Sequence, residues 1–233
     1  CGIAVCRTPG VNSEAVAEMA FALALSVTRR ITRFDRMLRA GEEIVRPAHL
    51  GIEMHGKTVG VVGMGNIGTR VARKWFGAFD ARIIAYDPYA TDDQWLGLPH
   101  QRVNSLNELL AVSDLVTLHL PLNEQTKNLI DRAELAIMKK NAVLINVSRG
   151  GLIDEQALFD ALQSGHLFGA GLDVFEIEPP ESNNPLLKND KVFLSPHTAA
   201  FTEECMTRMG KETIQNIIDF FDEKLEKSKT VKL

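Results

Sequence analysis

Apolar residues fall along this chain in two rhythms. Short, nearly unbroken runs cover 59–62, 83–86, 115–120, 142–147, 169–174 and 192–194, and all but 169–174 stop directly at a glycine, a proline or a polar residue. Runs of that length predict strands covered on both faces. Between them, apolar residues spaced three and four apart predict helices over 66–79, 105–112, 131–138 and 154–164, with Ser105 and Glu108 opening one of them as a capping box. Two longer helical patterns flank this core. Val16, Met19, Ala20, Leu23, Ala24, Val27, Ile31, Phe34 and Leu38 predict one long helix over 12–40, closed near Ala40-Gly41. Met206, Met209, Ile214, Ile217, Ile218 and Phe221 predict a final amphipathic helix over 203–221.

Short strands are also expected over 3–6 and 101–103. The stretch 41–56 reads as a surface loop, 92–99 as a polar loop containing Trp95, and the Lys-rich tail 223–233 as frayed. Strands alternating with helices at this spacing mean an α/β fold with a doubly wound parallel sheet. The order of its outer strands is left open.

Composition narrows the function. The formal net charge of the 233 residues is −4, which offers no basic patch for nucleic acid. Cys1, Cys6 and Cys205 make neither a metal-ligand spacing nor a disulfide framework, which points to a reducing, cytoplasmic setting. His49 and His55 have no ligand partners placed to complete a metal site, so no metal is expected. No apolar run approaches the roughly 18 residues that cross a bilayer, and none reads as a signal peptide, so no membrane partner is expected. Arg29, Arg30, Arg33, Arg36 and Arg39 on the long helix read as a solvated face or a subunit contact.

The candidate chemistry begins at Gly63-Met64-Gly65-Asn66-Ile67-Gly68, directly after the apolar run of 59–62. In that context Gly63 permits a tight turn, Gly65 lets backbone approach a pyrophosphate, and Gly68 lets the following helix pack close. The helix start then faces the phosphates with unpaired N–H groups and its positive dipole end. Asp87 ends the next strand, 19 positions after Gly68. An acid there accepts the adenosine ribose hydroxyls and repels a 2′-phosphate, so NAD rather than NADP is the expected cofactor.

Ligands of such sheets lie beyond the strand carboxyl ends, where this chain places Asp87, His119, Ser148-Arg149, Asp173 and His197. Hydride transfer to and from a hydroxy acid needs a base near neutral pKa and a cation for the carboxylate, roles that suit histidine and arginine. Strand position alone leaves His119 and His197 equal. Glu178 is one of three acids in the loop Glu176-Ile177-Glu178-Pro179-Pro180-Glu181.

Four ordered motifs carry a resemblance over nearly the whole chain: the glycine turn, Asn146-Val147-Ser148-Arg149-Gly150-Gly151-Leu152-Ile153-Asp154, Gly171-Leu172-Asp173-Val174-Phe175-Glu176-Ile177-Glu178-Pro179, and Ser195-Pro196-His197-Thr198-Ala199-Ala200. Together they resemble the D-isomer-specific 2-hydroxyacid dehydrogenases, nearest to their phosphoglycerate dehydrogenase and hydroxypyruvate or glyoxylate reductase members. The resemblance implies a Rossmann-type NAD-binding domain over 1–200 that acts on a 2-hydroxy or 2-keto acid. It makes Arg149 the substrate anchor, His197 the acid/base and Glu178 its carboxylate partner, and so decides between the two histidines.

The same resemblance gives Asp173 to the nicotinamide carboxamide, Asn66 and Ile67 to the pyrophosphate, Leu120 and Pro121 to the adenine side, and Val147 and Ser148 to the nicotinamide. Arg149, His197 and Ala200 border the cofactor as well, with Ala199 and Ala200 standing where many members have glycines. It also implies a homodimer built on 12–56 and a separate substrate domain, to which the 201–222 helix would return. That domain is largely missing here. The chain therefore reads as a fragment, with the apolar face of 206–221 partly uncovered. The rival reading is an NAD-binding module or a co-repressor-like NAD sensor without turnover.

Overall fold

The computed structural model describes residues 4–91 and 93–231. In chain order the elements are β1 (Val5–Cys6), α1 (Ser13–Thr28), α2 (Ile31–Arg39), β2 (Thr58–Val62), α3 (Asn66–Phe79), β3 (Arg82–Tyr86), β4 (Gln101–Arg102), α4 (Leu106–Val112), β5 (Leu115–Leu118), α5 (Arg132–Ile137), β6 (Val143–Asn146), α6 (Glu155–Gln163), β7 (Gly169–Leu172), β8 (Val192–Leu194), α7 (Glu203–Phe221) and β9 (Thr230–Val231). Seven strands form one parallel sheet in the order β4-β3-β2-β5-β6-β7-β8.

The apolar runs are strands because both sheet faces are covered. Val59, Val61, Leu115, Val143 and Ile145 point into one core with α1 and α3. Val62, Val116, Leu118 and Leu144 point into the other, with α4, α5 and α6. Successive strand side chains alternate between faces, so two cores require unbroken apolar sequence.

Two expectations need correction. The predicted helix over 12–40 is broken after Thr28, where Arg30 adopts a left-handed φ of 55°. The chain returning at 50–52 fixes the break: Ile52 N–H donates to the Thr28 carbonyl (2.8 Å), and Arg30 Nε donates to the Leu50 carbonyl (3.0 Å). The Arg30 guanidinium also lies 4.4 Å over the Phe168 ring, so this arginine leaves the solvated face assigned to it. The tail is likewise not frayed over its described part. Its β9 pairs antiparallel with β1, Arg7 N–H donates to the Lys229 carbonyl (2.8 Å), and Lys229 Nζ pairs with Glu212 (2.7 Å). Those bonds are backbone and ionic, which hydropathy does not register. Residue 3 of the expected first strand lies outside the described residues.

The 92–99 loop is less polar in place than in sequence. Trp95 is buried and its indole N–H donates to the Met64 carbonyl (2.9 Å), bracing the glycine turn from beneath. At α4, Ser105 caps the Glu108 N–H (3.3 Å) as expected, but the Glu108 carboxylate accepts from Asn104 N–H (3.3 Å), one residue beyond the capping-box partner. Along α7, Met206, Ile214, Ile217, Ile218 and Phe221 are exposed. No helix among the described residues is long and apolar enough to cross a membrane.

Candidate active site

The sheet changes direction at β2, with β3 on one side and β5 on the other. The connections diverge there and leave a crevice above the carboxyl ends. Gly63 forms the turn with φ 97°, and a Cβ on it would stand 2.3 Å from the His119 carbonyl oxygen. A Cβ on Gly68 would stand 2.0 Å from the Gly63 carbonyl, so helix and turn touch. Gly65 faces open space, with nothing within 4 Å of the place a Cβ would take. Gly65 and Asn66 are exposed, while Ile67 is half-buried against the core.

Asp87 accepts from Met64 N–H and from Tyr89 N–H, one bond on each oxygen, both 2.9 Å. A carboxylate has about four acceptor positions, so lone pairs remain for ribose hydroxyls. The open cradle at Gly65 and this acid on the neighbouring strand end fit an adenine dinucleotide. Leu120 is half-buried and Pro121 exposed at the end of β5, beside the turn.

Across the crevice, β6 delivers Arg149. Asn146 is buried beneath it, with Nδ2 donating to the Arg149 carbonyl (2.8 Å) and Oδ1 accepting from Ser148 N–H (3.0 Å). Arg149 is exposed. On the adjoining loop, Glu178 accepts from Phe175 N–H through Oε1 (3.0 Å) and pairs through Oε2 with His197 Nδ1 (2.6 Å). That leaves His197 Nε2 as the ring nitrogen without a protein partner among the described residues. Burial pushes the Glu178 carboxyl up, but the bonds from His197 and Phe175 N–H and the His197 and Arg149 charges outweigh it, so its pKa lies below the ordinary value. The pair's contribution is thus complete above the ordinary glutamate range and is lost as pH falls through the depressed value.

His197 stands in a left-handed conformation, φ 55°, a region few non-glycine residues occupy. Asp173 holds the turn. Its carbonyl accepts from His197 N–H (2.7 Å), and its carboxylate accepts from Thr198 N–H (3.0 Å), Ala199 N–H (2.9 Å) and the Ser195 hydroxyl.

Three residues expected at the cofactor make internal contacts with their side chains. Asp173 is 0% exposed with its carboxylate committed to the 195–199 turn. Val147 packs in the core, and the Ser148 hydroxyl donates to the Leu118 carbonyl (2.7 Å). Ala200 is half-buried against the core under the His197 turn.

His119 is separated from His197 by its surroundings. Burial pushes its pKa down to about 3, its Nε2 sits 2.9 Å from the Thr117 hydroxyl, and its Nδ1 is buried with no hydrogen-bond partner among the described residues. A ring held neutral, with no carboxylate beside it, cannot cycle a proton near neutral pH. Sequence reasoning passed over Ser195, Asn146 and Trp95 as supports of the site. Asn146 could have been found as the polar residue closing an otherwise apolar strand; nothing in its pattern marks Trp95 for the glycine turn. Among the described residues no cluster of His, Cys, Asp or Glu could hold a metal ion.

This arrangement is that of a dinucleotide-binding domain, and comparison with known proteins names its family. The D-isomer specific 2-hydroxyacid dehydrogenase, NAD binding domain family matches residues 21–199, and the chain belongs to it. It is 43% identical over 222 residues to a glyoxylate reductase of Korarchaeum cryptofilum, covering 94% of this chain and 66% of that protein. It is 43% identical over 216 residues to a D-3-phosphoglycerate dehydrogenase of Methanocaldococcus jannaschii, covering 93% of this chain and 41% of that protein. Among solved structures, the D-lactate dehydrogenase of Aquifex aeolicus complexed with NAD and lactic acid matches with a TM-score of 0.88 at 32% identity, covering 99% of this chain and 73% of that one. The chain thus spans two thirds or less of the length of these two curated relatives.

Proposed function

We propose that the protein transfers a hydride between NAD and a D-2-hydroxy acid or its 2-keto partner, with glyoxylate, hydroxypyruvate and 3-phosphohydroxypyruvate as the candidate acids. The observation that carries this reading is the 2.6 Å His197–Glu178 pair set beside Arg149 above the strand ends. Bound NADH supplies the hydride to the carbonyl carbon. The Arg149 guanidinium holds the substrate carboxylate with a planar fork that keeps its charge at every working pH. His197, tied through Nδ1, presents Nε2 to the carbonyl oxygen and gives it a proton; in the oxidative direction the same nitrogen takes the hydroxyl proton. Glu178 orients the ring through its bond to Nδ1. Gly65, Asn66 and Ile67 seat the pyrophosphate, Leu120 and Pro121 border the adenine, and Asp87 takes the ribose hydroxyls and repels a 2′-phosphate.

The 12–56 segment, with α2 carrying no buried residue, is the proposed homodimer face, and the free thiols suit a cytoplasmic, reducing compartment. The test is NADH oxidation with the three candidate acids and pyruvate, alongside cofactor binding by fluorescence. Turnover on at least one acid, with NADH favoured over NADPH, is the expected result. Tight NADH binding with no turnover on any acid would refute the enzymatic reading, and equal affinity for both cofactors would refute the role of Asp87.

A further inference from the structure

We propose that Glu155 is a positioning residue that holds the loop bearing Glu178 and so keeps that carboxylate against His197. Glu155 is the first residue of α6, directly after Asp154, whose side chain already caps the helix by accepting from Ala157 N–H (2.9 Å). With that cap filled, the Glu155 carboxylate is turned sideways. Its Oε1 accepts from Glu176 N–H (2.7 Å) and its Oε2 accepts from Asn184 Nδ2 (2.6 Å). Residues 176 and 184 are the two ends of the segment that carries Glu178, a segment without helix or strand. One side chain therefore clips both ends of the loop.

Little else does so. Apart from bonds to its sequence neighbours, the hydrogen bonds of 176–184 among the described residues go to Glu155 and to His197. Ile177 is 58% exposed, so apolar burial does not anchor the middle. Charge alone would drive Glu155 away, because the loop contains Glu176, Glu178 and Glu181. A merely solvated acid in a helix's first turn would point outward. Here two directional, charge-assisted bonds overcome that repulsion, aided by the positive end of the α6 dipole.

The consequence reaches the site through a short path. Glu155 fixes the Phe175–Glu176 peptide, and the preceding N–H, on Phe175, holds Glu178 Oε1. Arg149 lies on the connection from β6 to α6, and Glu155 opens α6 at its end. Loss of the brace frees Glu178 to leave both Phe175 N–H and His197 without disturbing the glycine turn at the end of β2.

The rate arm of the test rests on the hydride-transfer reading; the titration arm does not. In chain labelled with ¹³C at glutamate carboxyls, the Glu178 signal is assigned by its absence in Glu178→Gln and followed against pH. In Glu155→Ala the titration midpoint of Glu178 is expected to rise toward that of an ordinary glutamate; in Glu155→Gln, which keeps an oxygen for Glu176 N–H, it should rise less. With NADH affinity held within about twofold, keto-acid reduction in Glu155→Ala should fall about tenfold or more in kcat with KM for the acid little changed. An unchanged Glu178 midpoint in folded Glu155→Ala overturns the proposal. If that variant does not fold, the Glu155→Gln midpoint decides in the same way. Absence of turnover in the unsubstituted chain would count against the hydride reading alone, since the titration still reports on the brace.

Discussion

Replacing His197 with alanine is expected to lower keto-acid reduction about 10²–10⁴-fold, the usual worth of a positioned acid/base. NADH affinity should stay within about twofold, because the glycine turn and Asp87 lie at the ends of β2 and β3, several strands from β8. Nothing nearby substitutes for the lost proton donor. His119 is held neutral with a pKa of about 3, and Glu178 would retain only Phe175 N–H as partner. Alanine at φ 55° adds backbone strain of about 1 kcal/mol or more, which confuses loss of chemistry with loss of the turn. Asparagine tolerates the left-handed region better. His197→Asn should therefore keep the fold and still lose the rate. Steady-state kinetics with NADH titration checks both variants, and a rate within a few-fold of normal in either would remove His197 from the mechanism.

Gly150→Ala is expected to have the largest effect on stability, about 3 kcal/mol or more, because it overpacks a backbone contact. A Cβ there would stand 1.8 Å from the Phe175 carbonyl carbon, 1.9 Å from its oxygen and 2.3 Å from Glu176 N. All three are backbone atoms, so no flexible side-chain end can yield. The peptide that must move is the one fixed by Glu155, and it follows the N–H that holds Glu178, so activity should fall with stability. Gly65→Ala is the control, since its Cβ meets nothing within 4 Å. Denaturant midpoints for the two variants measure the contrast. Equal stability would mean that the Gly150 contact relaxes freely.

The sheet was legible because burial on both faces leaves a plain mark. Val59 to Val62 and Val143 to Ile145 lie in strands covered on both faces, which calls for apolar or small residues at successive positions. The residues ending each strand were legible for the same reason: Asp87, Arg149 and His197 interrupt or follow apolar runs that had no need of them. The break at Arg30 was hidden because its cause, the chain at Leu50 and Ile52, lies 20 or more residues away. The pairing of Val5–Cys6 with Thr230–Val231 was hidden because it is made by backbone between exposed residues at distant positions.

The site divided along the same line. Glu178 could be named only by resemblance, since Glu176 and Glu181 share its loop and its composition. What distinguishes it is the 2.6 Å approach to His197, which depends on the fold of two separate strand ends. Asp173 was placed at the right strand end with an expected cofactor contact, and the structure commits its carboxylate to the His197 turn. A strand-end acid in sequence does not show which backbone donors of a neighbouring turn it will hold.

The most direct test of hydride transfer by this crevice uses NADH carrying deuterium at the transferable position of the nicotinamide, with hydroxypyruvate or glyoxylate as acceptor. Deuterium should appear at the carbon that was the carbonyl, and the hydroxypyruvate product should have the D configuration. Bound NADH that keeps its label in the presence of every acid, or an L product, would contradict the account.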